Sequence, residues 1–204
     1  MQMRSLARQL REDARFYARL RAARGTTVSS WRALGDRGWW LLALHRVTAA
    51  CMARANLVPF GLLLRLVAHA SYFLAGVCFK SDIAGRCRIA GCVYLANEGY
   101  LTCGARSVGA GTLIHGFTTI GYATGEDARP TIGSNVWIGP NCIVAGDITI
   151  GDGATILPES FVTFSVSAGA LVGGNPARVI RRGFDNSPLR SSLQVAGDAA
   201  ASTW

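Results

Sequence analysis

The chain has 204 residues, half of them apolar, and its formal net charge is +9 at pH 7. This apolar content excludes a chain that is disordered throughout, and the length fits one compact domain or a small domain with an appendage. Lys80 is the only lysine, so almost every cation is an arginine. No nucleic-acid motif accompanies these cations, so we expect no nucleic-acid partner. The charge suits anionic lipids or phosphate-bearing ligands, or it reflects a general preference for arginine over lysine.

Residues 1–80 are poor in glycine and rich in leucine, alanine and arginine. Apolar residues at helical spacing predict a first helix over residues 3–23. A second helix is predicted over residues 38–55, and Pro59 is expected to open a third that runs to about residue 78. The first residues lack the apolar run of a signal peptide, so we expect a cytoplasmic protein.

The third predicted helix is apolar enough to raise the question of a membrane span. Arg65 and His69 lie inside it and would be costly at the centre of a bilayer. A packed helix or one that lies on a membrane surface therefore fits better than a span. We expect at most peripheral contact with the inner face of the membrane.

Residues 81–182 are rich in glycine and carry a six-residue repeat. Aliphatic residues recur at Ile132, Ile138, Val144, Ile150, Ile156 and Val162. The same six-residue spacing occurs upstream at Ile83, Ile89, Leu95 and Leu101. It shifts by one residue after Leu101 and resumes at Val108, Ile114 and Ile120. A helix repeats every 3.6 residues and a strand every 2, so neither explains this period. A β-solenoid does, because each six-residue unit forms one short strand and one corner.

Two segments depart from the repeat. Residues 121–131 are polar and turn-rich, and we expect them to form a loop that protrudes from the solenoid and walls a site. Residues 183–204 are predicted to be a flexible tail, because residues 187–204 are rich in serine, alanine and glycine and have no periodicity.

Two motifs resemble those of the left-handed β-helix, or hexapeptide-repeat, acyltransferases. These are residues 131–141 (TIGSNVWIGPN) and 173–181 (GGNPARVIR). Over about residues 40–183 the layout is similar to serine acetyltransferases and to exopolysaccharide O-acetyltransferases. The resemblance implies a mainly β fold, namely a left-handed parallel β-helix behind an N-terminal helical region. It also implies a homotrimer with sites between neighbouring prisms, acetyl-CoA as the acyl donor, and a catalytic histidine.

The segment that begins at His115 (HGFTTIG) resembles the histidine segment of the polysaccharide-type enzymes. The two histidines of serine acetyltransferases are missing here. At the position that corresponds to the first histidine, this chain has Asn97-Glu98. In the loop that corresponds to the second histidine, it has Asp127-Ala128-Arg129-Pro130. The resemblance therefore favours a saccharide over serine as the acceptor.

His115 is the only histidine in the repeat region and is the candidate general base. A thioester is already activated, so the reaction needs only a group that removes the proton of the attacking hydroxyl, and imidazole titrates near neutrality. Glu98 is the first candidate for a residue that orients the imidazole, and Asp127 is the second. The alternative is a histidine exposed on a coil face and two solvated acids.

The resemblance also points to residues that bind the acyl donor. These are Trp137, Pro140, Pro158, Thr163, Phe164, Arg178 and Arg181. The two arginines could bind the phosphates of CoA in a bidentate manner; alternatively they form the basic end of a helix after Pro176. Trp137 could instead pack on a neighbouring subunit or lie exposed at a corner.

Two further functions are weighed against the saccharide O-acetyltransferase. A serine O-acetyltransferase of cysteine synthesis is the second enzyme, and a non-catalytic scaffold is the third candidate. A zinc enzyme with three imidazole ligands is excluded, since the repeat holds a single histidine and the six cysteines lack zinc-ligand spacing. We therefore expect no metal.

Overall fold

The computed structural model of the chain describes residues 3–22, 35–56, 59–96, 99–121 and 128–191. Three helices occupy the three predicted places, with bounds that differ by one or two residues. They are α1 (Met3–Ala22), α2 (Arg37–Arg54) and α3 (Gly61–Phe79). The side chain of Asp36 caps α2 by accepting a hydrogen bond of 2.9 Å from the Gly38 amide.

The rest of the described chain forms short strands. In chain order they are β1 (Asp82–Ile83), β2 (Arg88–Ile89), β3 (Tyr94–Leu95), β4 (Leu101–Cys103), β5 (Ser107–Val108), β6 (Leu113–Ile114), β7 (Thr118–Gly121), β8 (Thr131–Ile132), β9 (Trp137–Ile138), β10 (Ile143–Ala145), β11 (Thr149–Ile150), β12 (Thr155–Ile156), β13 (Phe161–Val162), β14 (Leu171–Gly173) and β15 (Arg178–Arg181). Strands this short are what a six-residue unit allows, because the remaining residues must turn the corner.

From β1 to β13, strands three apart along the chain pair in parallel, and β12 pairs in parallel with β14, so that three sheets form. The first sheet runs β1-β4-β7-β10-β13, the second β2-β5-β8-β11, and the third β3-β6-β9-β12-β14-β15. Only the last pair, β14 with β15, is antiparallel among these strands. The prediction of a left-handed parallel β-helix with N-terminal helices is confirmed.

The predicted aliphatic ladders form the core of the prism. The six aliphatic residues that recur every six positions from Ile132 to Val162 are each at most 2% exposed. The prediction for Leu101 is wrong in register. Cys103 holds the ladder position, since it pairs with Ile83 on one side and Ile120 on the other, while Leu101 pairs with Thr118. Both residues are buried, so the apolar pattern alone did not separate them.

The helical region is fixed to the first coil of the prism. The Tyr17 hydroxyl of α1 accepts a hydrogen bond of 2.8 Å from the Leu95 amide. A Cβ atom on Gly38 would lie 2.0 Å from the Leu95 carbonyl oxygen, so only glycine lets α2 approach this closely. The carboxylate of Asp13 and the guanidinium of Arg46 form a buried ion pair between α1 and α2.

The end of the described chain differs from its prediction. Residues 178–181 form strand β15 rather than the end of a helix, because they pair with β14. The first part of the segment predicted to be a flexible tail packs against the prism. The buried Asn186 amide donates to the carbonyl oxygens of Asn135 and Gly153 at 2.9 and 3.1 Å, and residues 187–191 are helical. Residues 192–204 lie outside the described part of the chain.

Candidate active site

His115 lies where the third sheet turns toward the first. It directly follows β6, and its amide donates a hydrogen bond of 3.0 Å to the Ile138 carbonyl. The residue is half-buried, and its Nε2 atom is shielded from solvent and has no hydrogen-bond partner among the described residues. Burial lowers the pKa of the imidazole below its ordinary value of 6.5. A neutral ring with a free lone pair is the form that can accept a proton.

The ring of Trp137 lies beside that of His115. Their ring centroids are 5.0 Å apart with an angle of 54° between the planes. The indole Nε1 is also buried and unpaired within the described residues, as is the Thr155 hydroxyl, and Thr155 pairs with Trp137 across β9 and β12. Leaving a buried polar atom unpaired costs about 1–3 kcal/mol. Three such atoms on neighbouring strands of one sheet indicate a site for a polar ligand.

A column of residues continues from His115 down the prism. The residues directly after the inward-facing Ile114, Ile138, Ile156 and Val172 stack in the order His115, Gly139, Leu157 and Gly173. The amides of the first three each donate a hydrogen bond of 2.8 to 3.0 Å to the coil that follows. We call these four residues the histidine column. With about 4.8 Å between strands, it is about 14 Å long. It ends opposite Arg178, since Gly173 pairs with that residue.

The predicted donor-binding residues divide between two corners of the prism. Pro140 and Pro158 lie next to the histidine column, because they follow Gly139 and Leu157. Arg178 and Arg181 are exposed on β15 at its far end. Thr163 and Phe164 follow β13, so they lie at the corner between the first and second sheets. Within one chain these two residues are separated from the histidine column.

The two acids proposed to orient the imidazole lie outside the described residues. Glu98 falls in the gap at residues 97–98, and Asp127 falls in the gap at residues 122–127, which also contains most of the predicted loop. Their roles stay predictions. On either side of the second gap the prism is regular, since Val108 of β5 pairs with Ile132 of β8. No group of three or more histidine, cysteine or acidic residues that could hold a metal occurs in the described part of the chain.

An aromatic pair near His115 was missed by the sequence reasoning. Phe117 and Tyr100 are about half exposed, and their ring centroids are 5.2 Å apart with one edge toward the other face. The Phe117 backbone has φ 58°, a left-handed conformation that is unfavourable for a bulky residue. The Phe117 amide donates a hydrogen bond of 2.7 Å to the Tyr100 carbonyl. The position of Phe117 two residues after His115 was the available signal.

Comparison with known proteins agrees with this geometry. The family described as bacterial transferase hexapeptide (six repeats) matches residues 129–163, which run from the end of the loop through β13. The match covers 35 of the 204 residues of the chain.

Curated relatives match this chain over a limited length. A chloramphenicol acetyltransferase of Agrobacterium fabrum is 43% identical over 75 residues, which is 37% of this chain and 35% of the relative. A galactoside O-acetyltransferase of Escherichia coli is 43% identical over 51 residues, a quarter of each chain. The chain thus spans about a third or less of the length of these relatives.

A solved structure matches this chain over most of its length. It is the serine acetyltransferase of Brucella abortus in complex with coenzyme A, with a TM-score of 0.73. The match covers 88% of this chain and 69% of that chain at 20% identity. At this identity the likeness establishes the fold.

Proposed function

We propose that this protein is an O-acetyltransferase that moves an acetyl group from acetyl-CoA to a hydroxyl, with His115 as general base. The observation that carries the proposal is the shielded, unpaired Nε2 atom of His115 beside Trp137. The names of the two curated relatives support the reaction class, since both are acetyltransferases.

The proposed reaction transfers one proton from the acceptor hydroxyl to the sulfur of CoA by way of His115. Nε2 of His115 accepts the proton of the acceptor hydroxyl while the oxygen attacks the thioester carbonyl. When the carbon–sulfur bond breaks, the imidazolium returns that proton to the sulfur, which leaves as the thiol. The imidazole must carry its hydrogen on Nδ1 to act in this way. Trp137 Nε1, which can only donate, is the candidate to hold an oxygen of one substrate.

We propose that acetyl-CoA lies along the histidine column, with its phosphates toward Arg178 and Arg181. The column begins at the imidazole and ends opposite Arg178, and Arg181 is exposed on the same strand. Guanidinium groups bind phosphate well. Thr163 and Phe164 lie at another corner, so they could reach the same acyl donor only from a neighbouring subunit. That separation supports a homotrimer with sites between prisms.

For the acceptor we propose a saccharide. The half-exposed rings of Tyr100 and Phe117 offer an apolar surface of the kind that the carbon–hydrogen faces of a sugar can cover. The matched galactoside O-acetyltransferase supports this class. Serine and chloramphenicol are the competing acceptors, because a serine acetyltransferase and a chloramphenicol acetyltransferase are among the matches.

Release of free thiol from acetyl-CoA tests the acceptor class directly. The full chain is assayed with a panel of glycosides and oligosaccharides, with L-serine, with chloramphenicol, and with no acceptor. We expect release with at least one saccharide at ten times or more the rate without acceptor. Release with serine alone would replace the saccharide by serine, and no release with any acceptor would favour the scaffold.

The pH dependence of the reaction follows from the burial of His115. Its folded pKa is lowered, so the active neutral form persists below pH 6.5, the ordinary value for histidine. We expect kcat/KM to be constant near neutrality and to fall only as the pH drops through a value below 6.5. A profile from pH 5 to 8 measures this limb.

Loss of folding must be separated from loss of the base in that experiment. Burial also lowers the pKa of His45, whose Nε2 lies 3.0 Å from the Cys87 carbonyl oxygen. The unfolded chain takes up protons more readily at both histidines, so stability falls as the pH drops below about 6.5. Circular dichroism at each pH is the control. A limb centred above pH 7 in folded protein would contradict His115 as the base.

A further inference from the structure

Helix α3 presents an apolar surface that no part of the described chain covers. It has 19 residues and is long and apolar enough, by length and composition, to cross a membrane. Leu62 and Phe73 are 73% and 71% exposed. The exposed large apolar residues of the helix are Leu62, Leu63, Leu66, Val67, Tyr72, Phe73, Leu74 and Val77. A contiguous apolar surface of this kind on a protein marks an interaction site.

The packing of α3 against α2 is the reverse of that in a water-soluble helix. The buried residues of α3 are small: Gly61, Ala68, Ser71 and Ala75. The hydroxyl of Ser71 lies 2.8 Å from that of Thr48 on α2. A helix in water buries its large apolar residues and exposes polar ones. Small residues and hydroxyl contacts inside, with large apolar residues outside, are typical of helices in contact with lipid.

The exposed surface of α3 divides into an apolar arc and a polar flank. Successive residues of a helix are about 100° apart around its axis. Viewed down the axis, one side of α3 is an arc of roughly 150° that carries no charge, and we call it the apolar arc. Its residues, in order around the axis, are Leu62, Phe73, Leu66, Val77, Leu63, Leu74 and Val67. Arg65 and His69 lie together on one side of it, and α2 lies on the other. Tyr72 lies on the same flank as Arg65 and His69, and its hydroxyl donates a hydrogen bond of 2.6 Å to the Asp82 carboxylate. A charge-free arc beside a basic flank is the pattern of a helix that lies in the plane of a membrane surface.

The contacts of the neighbouring helix argue against a span. α3 packs along α2, and α2 carries Arg46, which is paired with Asp13 and donates to the Ile89 and Ala90 carbonyl oxygens of the first coil. A hairpin that crossed a bilayer would have to bring this charged cluster into the hydrocarbon. Only the outer face of α3 is therefore available to lipid.

We propose that the apolar arc of α3 docks the protein onto an anionic lipid bilayer, with the helix parallel to the surface. Acyl chains contact the arc, and the phosphates of the headgroups meet Arg65 on the flank and Lys80, which is exposed directly after the helix. The net charge of +9 strengthens attraction to an anionic surface. This inference is independent of the proposed reaction, since it concerns binding alone.

Vesicle flotation tests the proposal with the full chain. Vesicles of phosphatidylcholine with phosphatidylglycerol are compared with phosphatidylcholine alone at 0.15 M salt, a concentration chosen to screen weak attraction. We expect the wild type to float with the anionic vesicles. Leu66→Glu and Phe73→Glu should each lower the partition coefficient at least tenfold, because each places a charge in the arc.

A matched variant controls for added charge and lost apolar surface. Ile180 on β15 is 58% exposed and Leu66 is 59% exposed, and Ile180 lies at the opposite end of the prism from α3. Ile180→Glu should keep partitioning within about twofold of the wild type. The proposal is overturned if the wild type stays unbound with anionic vesicles, or if Leu66→Glu floats as well as the wild type. It is also overturned if Leu66→Glu halves the solution mass measured by light scattering, because the arc would then join two copies.

Discussion

Replacing His115 by alanine is expected to lower kcat by about 10²- to 10⁴-fold. That range is the usual contribution of a general base, and no second imidazole is present in the repeat to replace it. The fold should persist, because the inward ladder position belongs to Ile114 and the His115 side chain lies outside the prism. Thiol release at saturating acetyl-CoA measures the loss, and thermal melting by circular dichroism confirms the fold.

A surface variant provides the comparison for this substitution. Glu12 forms an exposed ion pair with Arg8 on α1, away from the histidine column. Glu12→Ala should retain kcat within about twofold, because such pairs contribute little. Acetyl transfer by His115→Ala at a rate near that of the wild type would remove His115 from the proposed role. Loss of activity together with loss of the melting transition would instead indicate a structural role.

Replacing Asp13 by alanine should destabilise the helical region by about 3–5 kcal/mol. Asp13 and Arg46 are 1% and 6% exposed, and the carboxylate accepts two hydrogen bonds from the guanidinium at 2.5 and 3.2 Å. It also accepts one of 3.1 Å from the Cys92 amide of the first coil. The variant would leave the Arg46 charge buried without its partner. Urea unfolding followed by circular dichroism measures the change in free energy.

A double substitution separates the pair from the packing around it. Asp13→Ala with Arg46→Met removes the stranded charge, so it should recover part of the stability that Asp13→Ala loses. Breaking the exposed pair with Glu12→Ala should cost at most about 1 kcal/mol. If Asp13→Ala costs no more than Glu12→Ala, the helical region is not held to the prism by this ion pair.

The two predictions concern different layers of the molecule. The Asp13–Arg46 pair joins α1, α2 and the first coil, whereas His115 lies on the second coil and its neighbours lie on the third and fourth. Loss of the ion pair should therefore lower stability more than catalysis measured at low temperature. It should also weaken lipid binding, because α3 is held to the prism mainly through α2.

The six-residue spacing of aliphatic residues predicted the prism, because each inward-facing position must be apolar and the length of a coil fixes the distance along the chain between such positions. It failed where the coil length changes. From Leu95 to the next ladder residue the chain takes eight residues instead of six, so Leu101 and Cys103 were both possible occupants. Pairing with Ile120 decided for Cys103. An apolar pattern marks burial, and only the hydrogen-bonded register says which strand position is inward.

By itself the sequence determined the six-residue period, and with it the prism, and it identified His115 as the single imidazole of the repeat. Only the tertiary structure decided which residues share a corner. Trp137 is 22 residues from His115 and Tyr100 is 17 from Phe117, and coil closure brings each pair into ring contact. The outward face of α3 was also hidden in the sequence, because a helix with apolar residues on more than one side does not show which side packs until its partner α2 is in place.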